Sequence, residues 1–330
     1  MKANFVVLIF LTLGLYSPLS SANGLTYTKW LEANQVEKLW QKLTPKVRSL
    51  FKNDLKGLQE FIKYINTEYK SYGQITEQKE INDSRGSTWW QIKRNPNNEK
   101  EVQYKWSYGT DGQITGLYFG KRALPLPTEY LNYRTKTALQ LPFNNTWEVI
   151  WGGRTVEQNY HSAYPDQRFA LDIMIIKNGR SFKNDGKKLS DYHCFNRKIL
   201  APGSGTIVTV ENSLKDNSIG VMDSKHPFGN HVWIDHQNGE YTMLGHMKKG
   251  SLKVKSLEKV VAGQELGLCG NSGNTSEPHI HMHMQNTALP YKGHGLPLQF
   301  KKVLVNGKIK KSHEVVRGEL IQNYAAGAQK

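Results

Sequence analysis

The chain has 330 residues and a formal net charge of +16, with 38% hydrophobic and 11% aromatic residues. This composition supplies enough apolar side chains for a sizeable core, which excludes a disordered chain, and the length predicts about two domains. The excess of lysine and arginine favours anionic partners.

The first 22 residues have the pattern of a secretory signal peptide. Lys2 precedes the uncharged apolar run 5–15, and Pro18 and Ser20-Ser21-Ala22 follow it. The run is shorter than the roughly 20 residues of a membrane-spanning helix, so cleavage is favoured over the alternative of a retained anchor. No second hydrophobic stretch follows. We therefore expect an exported protein, in the periplasm, in the cell wall or outside the cell, whose partners are cell-wall polymers or membrane surfaces rather than nucleic acid.

Two cysteines are present, Cys194 and Cys269. Two thiols are too few for a structural zinc site made of cysteines. In an oxidising compartment they could form one disulfide, and buried free thiols are the alternative.

Residues 23–120 are predicted to form a small α+β domain. Apolar residues recur at helical spacing between about residues 25 and 70, interrupted by Pro45. Residues typical of strands follow at 88–92, 102–106 and 114–119. Helices followed by an antiparallel meander resemble the cone-shaped domains of the nuclear-transport-factor-like superfold. We expect a spacer or binding module there, because the segment contains no catalytic constellation.

The rest of the chain is predicted to be mainly β. Residues 121–145 contain three prolines without a hydrophobic period and are predicted to be a linker. Residues 146–305 consist of short β runs separated by Gly and Asn turns, at 149–151, 169–176, 206–210, 231–235, 241–246 and 279–284. The lysine-rich residues 306–330 are predicted to be a C-terminal tail with a surface strand.

Three histidines alternate along one predicted strand: His279, His281 and His283. Side chains at i and i+2 of a strand share a face, so the imidazoles point one way while Ile280 and Met282 point into the core. Neutral imidazole is the commonest metal ligand, and zinc binds it readily. Because surface histidines also produce His-x-His motifs, residues elsewhere in the chain must decide between the two interpretations.

Two other segments supply suitable residues. Asp172 interrupts an apolar β run, where a bare carboxylate is unfavourable to bury and a bound cation removes the penalty. His161 follows Tyr160, and His246 ends the strand after the Asn238-Gly239 turn. A hydrolytic zinc site needs three protein ligands, an open position for water, a base and an oxyanion donor. One carboxylate and several histidines meet this requirement.

Residues 147–285 resemble the catalytic domain of the lysostaphin/LytM-type zinc metallopeptidases, a family of peptidoglycan hydrolases. The matching blocks occur in order at 159–161, 169–172, 199–208, 229–232, 245–246, 261–264, 270–273 and 278–281. The resemblance implies an antiparallel β-sandwich of the duplicated-hybrid-motif type, with the site in a groove on one sheet.

The resemblance also implies a set of site residues. His161, Asp172 and His281 would hold one zinc ion per chain. His246 and His279 would be the unliganded pair beside the activated water, one taking its proton while the pair stabilises the oxyanion and protonates the leaving amine. Which histidine has which role stays open.

The segment between the first two implied ligands departs from the common family pattern. Ten residues separate His161 from Asp172, where the commonest pattern has three. Asp166 follows Pro165 in a turn-like context and is the alternative carboxylate. The position of Asp172 in a strand favours it over Asp166.

Three residues are candidate substrate contacts. Tyr160 and Tyr164 are aromatic residues expected beside the groove. His283 occupies a position where relatives more often have an acid or an amide. Being one i+2 step beyond His281, it either supports the site or lines the groove.

These observations predict a secreted zinc endopeptidase that hydrolyses peptide bonds in the stems or cross-bridges of peptidoglycan, with the scissile bond and the oligomeric state left open. One alternative is a non-catalytic member of the same fold that binds cell wall or activates another hydrolase. Others are a secreted peptidase for Gly-rich proteins and a β domain with a structural metal. A structural site would close with four protein ligands, whereas the predicted one leaves a position open.

Overall fold

The computed structural model describes residues 22–324, which fall into two compact units. One unit contains the described residues up to Ala123 together with Asn178–Arg180, and the other contains the remainder. The predicted signal peptide, residues 1–22, lies almost wholly outside the described residues. None of the helices within 22–324 is long and apolar enough to cross a membrane.

The first unit combines four helices with a four-stranded antiparallel meander in the order β1-β2-β3-β4. Its elements are α1 (Ala22–Glu32), α2 (Val36–Lys42), α3 (Pro45–Ser49), α4 (Leu55–Glu68), β1 (Gln74–Asp83), β2 (Gly86–Arg94), β3 (Glu101–Tyr108) and β4 (Ile114–Lys121). This arrangement confirms the predicted α+β character of the region.

Local chemistry explains where its helices begin. Pro45 is the first residue of α3, a position whose N–H would have no acceptor within the helix, so proline is tolerated there. The Thr44 hydroxyl caps the helix by accepting from the N–H of Val47 at 3.4 Å. The Asp54 carboxylate caps α4 by accepting from the N–H of Lys56 at 3.0 Å. The helix then buries one face, made by Leu58, Ile62 and Ile65, in a core that it shares with the sheet.

The second unit is built from strands that are all paired antiparallel. Its elements are β5 (Trp147–Trp151), β6 (Leu171–Met174), β7 (Lys198–Leu200), β8 (Gly205–Glu211), β9 (Asn230–Asp235), β10 (Tyr241–Met247), β11 (Lys259–Val260), β12 (Glu265–Leu268), β13 (Ile280–Gln285), β14 (Gly295–Leu296), β15 (Gln299–Val305), β16 (Lys308–Glu314) and β17 (Leu320–Asn323), with 3-10 helices at Glu129–Asn132, Tyr160–Ala163 and Leu189–Asp191.

These strands form an eleven-stranded sheet and, beside it, the pair β12-β7. The order in the large sheet is β11-β8-β9-β10-β13-β6-β5-β17-β15-β16, with β14 paired to β13. The mainly β prediction for this part of the chain is confirmed.

The predicted alternation along β13 is confirmed. Ile280, Met282 and Met284 are buried in the main core of the second unit. Because side chains alternate, the histidines between them lie on the opposite face. A shift of one residue in register would exchange the two sets, so burial of the apolar set fixes the face on which the imidazoles lie.

The large sheet continues into the residues predicted to be a C-terminal tail. Within 306–324, β16 and β17 both pair with β15, and Ile321 is fully buried. β16 is an edge strand, and exposed lysines are typical of such edges because they discourage pairing with another chain. The lysines of β16 therefore give it a composition typical of a C-terminal tail, although its backbone is part of the sheet. Leu139 and Leu141, from the predicted linker, lie in the same core.

Cys194 and Cys269 form the disulfide that the sequence left open, with their Cα atoms 6.0 Å apart. Both are buried. The backbone N–H of Asn196 donates to the carbonyl of Cys269, and Met247 is bridged to Cys269 across strands. The disulfide therefore links the loop before β7 to the residue immediately after β12.

Replacing both cysteines by alanine is expected to lower the free energy of unfolding by about 4 kcal/mol, because the bond closes a long loop in the unfolded chain. The two residues are 75 positions apart. Urea titration followed by tryptophan fluorescence measures the difference, with reduced wild-type protein as the control. A loss below about 1 kcal/mol would contradict the loop-closure argument.

Candidate metal centre

Asp172 and His281 lie directly opposite each other on adjacent strands. The register of β6 with β13 pairs the two residues, and Nδ1 of His281 is 2.9 Å from Oδ1 of Asp172. At this separation the two electron-rich atoms must share a proton or a cation. Sheet register alone therefore brings two candidate ligands together.

His161 reaches the same place from the 3-10 helix Tyr160–Ala163. Asn159 caps this helix, and its Oδ1 accepts from the backbone N–H of His161 at 3.2 Å and from the Nδ1–H of the ring at 2.9 Å. Its Nδ2 donates to the carbonyls of Gly153 and Ala170 at 3.2 and 3.0 Å. Ala170 is two residues before Asp172. Asn159 thus ties the His161 loop to the strand of Asp172, which accommodates the ten-residue spacing.

The candidate ligand atoms of His161, Asp172 and His281 all lie within 4.8 Å of one another. Nε2 of His161 is 3.6 Å from Oδ2 of Asp172, and the three residues are only 2%, 4% and 4% exposed. Within the described part of the chain this is the one group of three such side chains at that spacing. Asp166 is not part of it.

The surroundings favour the protonation states that bind metal. Burial lowers the pKa of His161 to about 3 in spite of the neighbouring Asp172 charge. Burial by itself raises the pKa of Asp172, but the surrounding imidazoles of His161, His279 and His281 outweigh it and hold that pKa well below its usual range. A neutral imidazole and an ionised carboxylate are the forms that act as ligands.

His246 lies at a β-bulge in β10, between the paired residues Leu244 and Met247. Its backbone has φ of 57°, which few residues other than glycine adopt. Its N–H donates to the carbonyl of Phe228 at 2.8 Å, and its Nδ1–H donates to the carbonyl of Ser272 at 2.8 Å. The bulge therefore aims Nε2 of His246 away from the backbone, and bulges are common beside active sites.

His279 approaches the same group from the start of β13. Its Nδ1–H donates to the carbonyl of Glu277 at 2.9 Å, with the Thr275 hydroxyl 3.1 Å away. Its Nε2 is 3.5 Å from Oδ1 of Asp172, and its ring centroid is 4.7 Å from that of His246. Burial lowers the pKa of His279, but the Asp172 charge outweighs it and the net pKa is raised, whereas burial holds the pKa of His246 well below its usual range.

The three predicted substrate contacts occupy different positions. The Tyr160 hydroxyl donates to Oδ2 of Asp172 at 3.3 Å. Tyr164 is 52% exposed and follows the His161 helix. His283 is 1% exposed, and its Nδ1 is 3.1 Å from Nε2 of His281. The structure therefore brings Tyr160 and His283 against candidate ligands and leaves Tyr164 at the surface.

Sequence reasoning missed the residues that orient the imidazoles. Asn159 was part of a matching motif without a role, and the contributions of Ser272 and Thr275 were not predicted. One signal was available for Asn159: an asparagine two residues before a histidine, in a turn-rich segment, is typical of a side chain that caps the following backbone. The carbonyl of Ser272 has no such signal.

A sequence comparison relates part of the chain to a known class of protein. Residues 187–293 match the sequence model of Peptidase family M23. The predicted resemblance to the lysostaphin/LytM-type metallopeptidases is therefore confirmed over this part of the chain. The matched residues include His246, His279 and His281 and begin after His161 and Asp172.

Particular relatives can also be named. An 89-residue stretch is 39% identical to the peptidoglycan DD-endopeptidase ShyA of Vibrio cholerae serotype O1, covering 26% of this chain and 20% of that protein. The match thus spans about a fifth of the length of this relative.

Two solved structures align with the chain. A zinc-containing peptidase from Vibrio cholerae aligns over 75% of this chain and 68% of its own, with 13% identity and a TM-score of 0.31. The catalytic domain of lysostaphin from Staphylococcus simulans aligns over 51% and 93%, with 18% identity and a TM-score of 0.26. The likeness to Peptidase family M23 rests on the sequence match.

If His161 is a zinc ligand, replacing Asn159 by alanine is expected to weaken zinc binding about 10-fold or more, because residues that orient a ligand histidine typically contribute 10- to 100-fold to metal affinity. Competition with a fluorescent zinc chelator measures the dissociation constant. Asn144→Ala, which removes an exposed asparagine near β5, is the matched control. Equal affinities for the two variants would show that Asn159 does not orient His161.

Proposed function

We propose that this protein is an exported zinc endopeptidase that hydrolyses peptide bonds in the stems or cross-bridges of peptidoglycan. The convergence of His161, Asp172 and His281, with His246 and His279 beside them, is the observation that carries the proposal. The first three would hold one zinc ion per chain, and the other two would handle protons.

The donor set fits zinc. Two imidazoles and one carboxylate are a combination found in hydrolytic zinc sites, and three protein ligands leave a position open. The 2.9 Å contact between His281 and Asp172 is the kind of approach that a shared cation allows. When bound, zinc would polarise the scissile carbonyl and lower the pKa of a water molecule toward about 7.

The two remaining imidazoles would move the protons of the reaction. The Nδ1–H groups of His246 and His279 are both donated to backbone carbonyls, so each ring keeps its Nε2 lone pair for proton transfer. One Nε2 would accept a proton from the attacking water, and the pair would stabilise the oxyanion and protonate the leaving amine. The Tyr160 hydroxyl would hold the carboxylate of Asp172 in place.

Three features support the substrate and the location. The matched relative from Vibrio cholerae is named for acting on peptidoglycan. The disulfide between Cys194 and Cys269 is of a kind that persists in oxidising compartments, in agreement with the signal-like first 22 residues. The net charge of +16 favours an anionic wall.

Tyr164, exposed beside the His161 helix, is a candidate substrate contact. The first unit would act as a spacer or binding module.

Mass spectrometry of fragments released from purified peptidoglycan tests the proposal. The protein is incubated with and without a zinc chelator, and its zinc content is measured on the same sample. We expect about one zinc per chain and chelator-sensitive release of peptide-cleaved fragments, whose masses name the bond. Zinc-loaded, folded protein that releases nothing would favour a peptidase for Gly-rich proteins or a wall-binding module, and absence of bound zinc would overturn the proposal.

A pair of carboxylate-to-amide variants tests the ligand set. Asp172→Asn is expected to lose zinc and activity, because an amide is a much weaker zinc ligand than a carboxylate. Asp166→Asn is the matched control and should keep both, since Asp166 lies outside the convergent group. Zinc content by elemental analysis and fragment release are the measurements, and the reverse pattern would assign the ligand to Asp166.

Variants of the two remaining histidines test the proton-transfer roles. His246→Asn, chosen because asparagine tolerates a positive φ, and His279→Ala are each expected to lower the rate of fragment release by about 10²- to 10⁴-fold while zinc content stays unchanged. His231→Asn, on β9, is the control. Loss of zinc from either variant would instead make that histidine a ligand.

A further inference from the structure

We propose that His283 is a positioning residue for the metal centre, holding the ring of His281 by accepting the hydrogen bond from its Nε2–H. The inference rests on the proposed function and deepens it, since it assigns a role to a histidine that neither binds the metal nor transfers a proton.

The two ring nitrogens of His281 have separate partners. Its Nδ1 faces Oδ1 of Asp172 at 2.9 Å, so this is the atom available to a metal shared with Asp172. Its Nε2 is 3.1 Å from Nδ1 of His283. A histidine that offers its Nδ1 lone pair to a metal carries its proton on Nε2, and that proton needs an acceptor when the ring is buried. His283 supplies this acceptor.

The environment of His283 excludes other roles. At 1% exposed, it is the most buried of the five histidines around the candidate centre. The ring of Trp233 packs edge-on against it at 5.3 Å, and the ring of Phe228 lies 5.7 Å away. Its Nδ1 is occupied by His281, which leaves no lone pair for accepting a proton from water. The predicted role as a groove-lining substrate contact is therefore replaced in this proposal by a role through His281.

The second nitrogen of His283 is compatible with an accepting Nδ1. If Nδ1 accepts, Nε2 carries the proton, and the side chain of Gln285, two residues further along the same face of β13, interacts with the ring. The acceptor at Nδ1 is the feature that an apolar side chain cannot supply.

The position also suits a neutral acceptor. Histidine ligands usually donate their second N–H to a carboxylate, a carbonyl or water. An imidazole adds no negative charge next to the Asp172 carboxylate. The cluster of aromatic and apolar side chains around it, Phe228, Trp233 and Met243, would make a second buried carboxylate unfavourable.

Two classes of substitution separate positioning from packing. His283→Leu and His283→Phe remove the acceptor while keeping an apolar side chain or a planar ring. His283→Asn keeps an acceptor, because its Oδ1 can occupy the position of the histidine Nδ1. His231→Leu is the matched control, because it removes a neighbouring histidine whose Nδ1–H donates to the Gly229 carbonyl.

The readouts are the zinc dissociation constant by chelator competition, the absorption spectrum of the cobalt-substituted protein and the melting temperature of the metal-free protein. We expect His283→Leu and His283→Phe to raise the dissociation constant about 10- to 100-fold and to change the cobalt spectrum. We expect His283→Asn and His231→Leu to stay within about threefold of the wild type on the scale of such supporting contacts. Across the variants, the melting temperature of the metal-free protein should not fall in step with the zinc affinity.

The outcomes distinguish this inference from the proposed function. Wild-type protein that binds zinc tightly, with a folded His283→Leu or His283→Phe variant of equal affinity, overturns the role of His283 alone. The same holds if His283→Asn is as weak as the apolar variants while its metal-free fold is intact. Wild-type protein that binds no zinc overturns both proposals together.

Discussion

A buried carboxylate at the centre of the large sheet constrains the side chains around it. Asp172 is almost fully buried, and the neighbouring imidazoles hold its pKa well below the usual range, which favours the ionised form. Removal of such a charge from water is strongly unfavourable without compensation. The Tyr160 hydroxyl donates to one oxygen, while His161, His279 and His281 approach within 3.6 Å. The site is therefore an arrangement of partners around one negative charge, and a bound cation would complete the compensation.

The part of the site that lies on strands could be predicted because strand geometry is regular. Alternation along β13 indicated which face carries His279 and His281, and the carboxylate in an apolar run indicated that Asp172 needs a partner. His161 and His246 were candidates from their own segments, and the motif resemblance then supplied their roles. The same regularity predicted the helices and the meander of the first unit, where capping by Thr44 and Asp54 agrees with the hydrophobic pattern.

The remaining features depend on contacts that leave little trace in sequence. The loop between His161 and Asp172 returns to the sheet because the Asn159 amide bridges two carbonyls, one of them on Ala170, and bonds of this kind have no periodic signature. The bulge at His246 depends on the Phe228 carbonyl, which accepts the hydrogen bond from the backbone N–H of His246. The strand β16 resembled a tail because its lysines suit an exposed edge as well as they suit a disordered chain.

The pairing of β6 with β13 determines when the candidate metal centre can form. Asp172 and His281 are 109 residues apart in the chain, and β13 is reached only after β8, β9 and β10 have been made. Because an unfolded chain does not hold such distant ligands together, metal capture has to follow folding of the sheet. In the proposed exported peptidase, a chain that crosses a membrane unfolded would carry no assembled centre. The enzyme would become competent only after the sheet has folded at its destination.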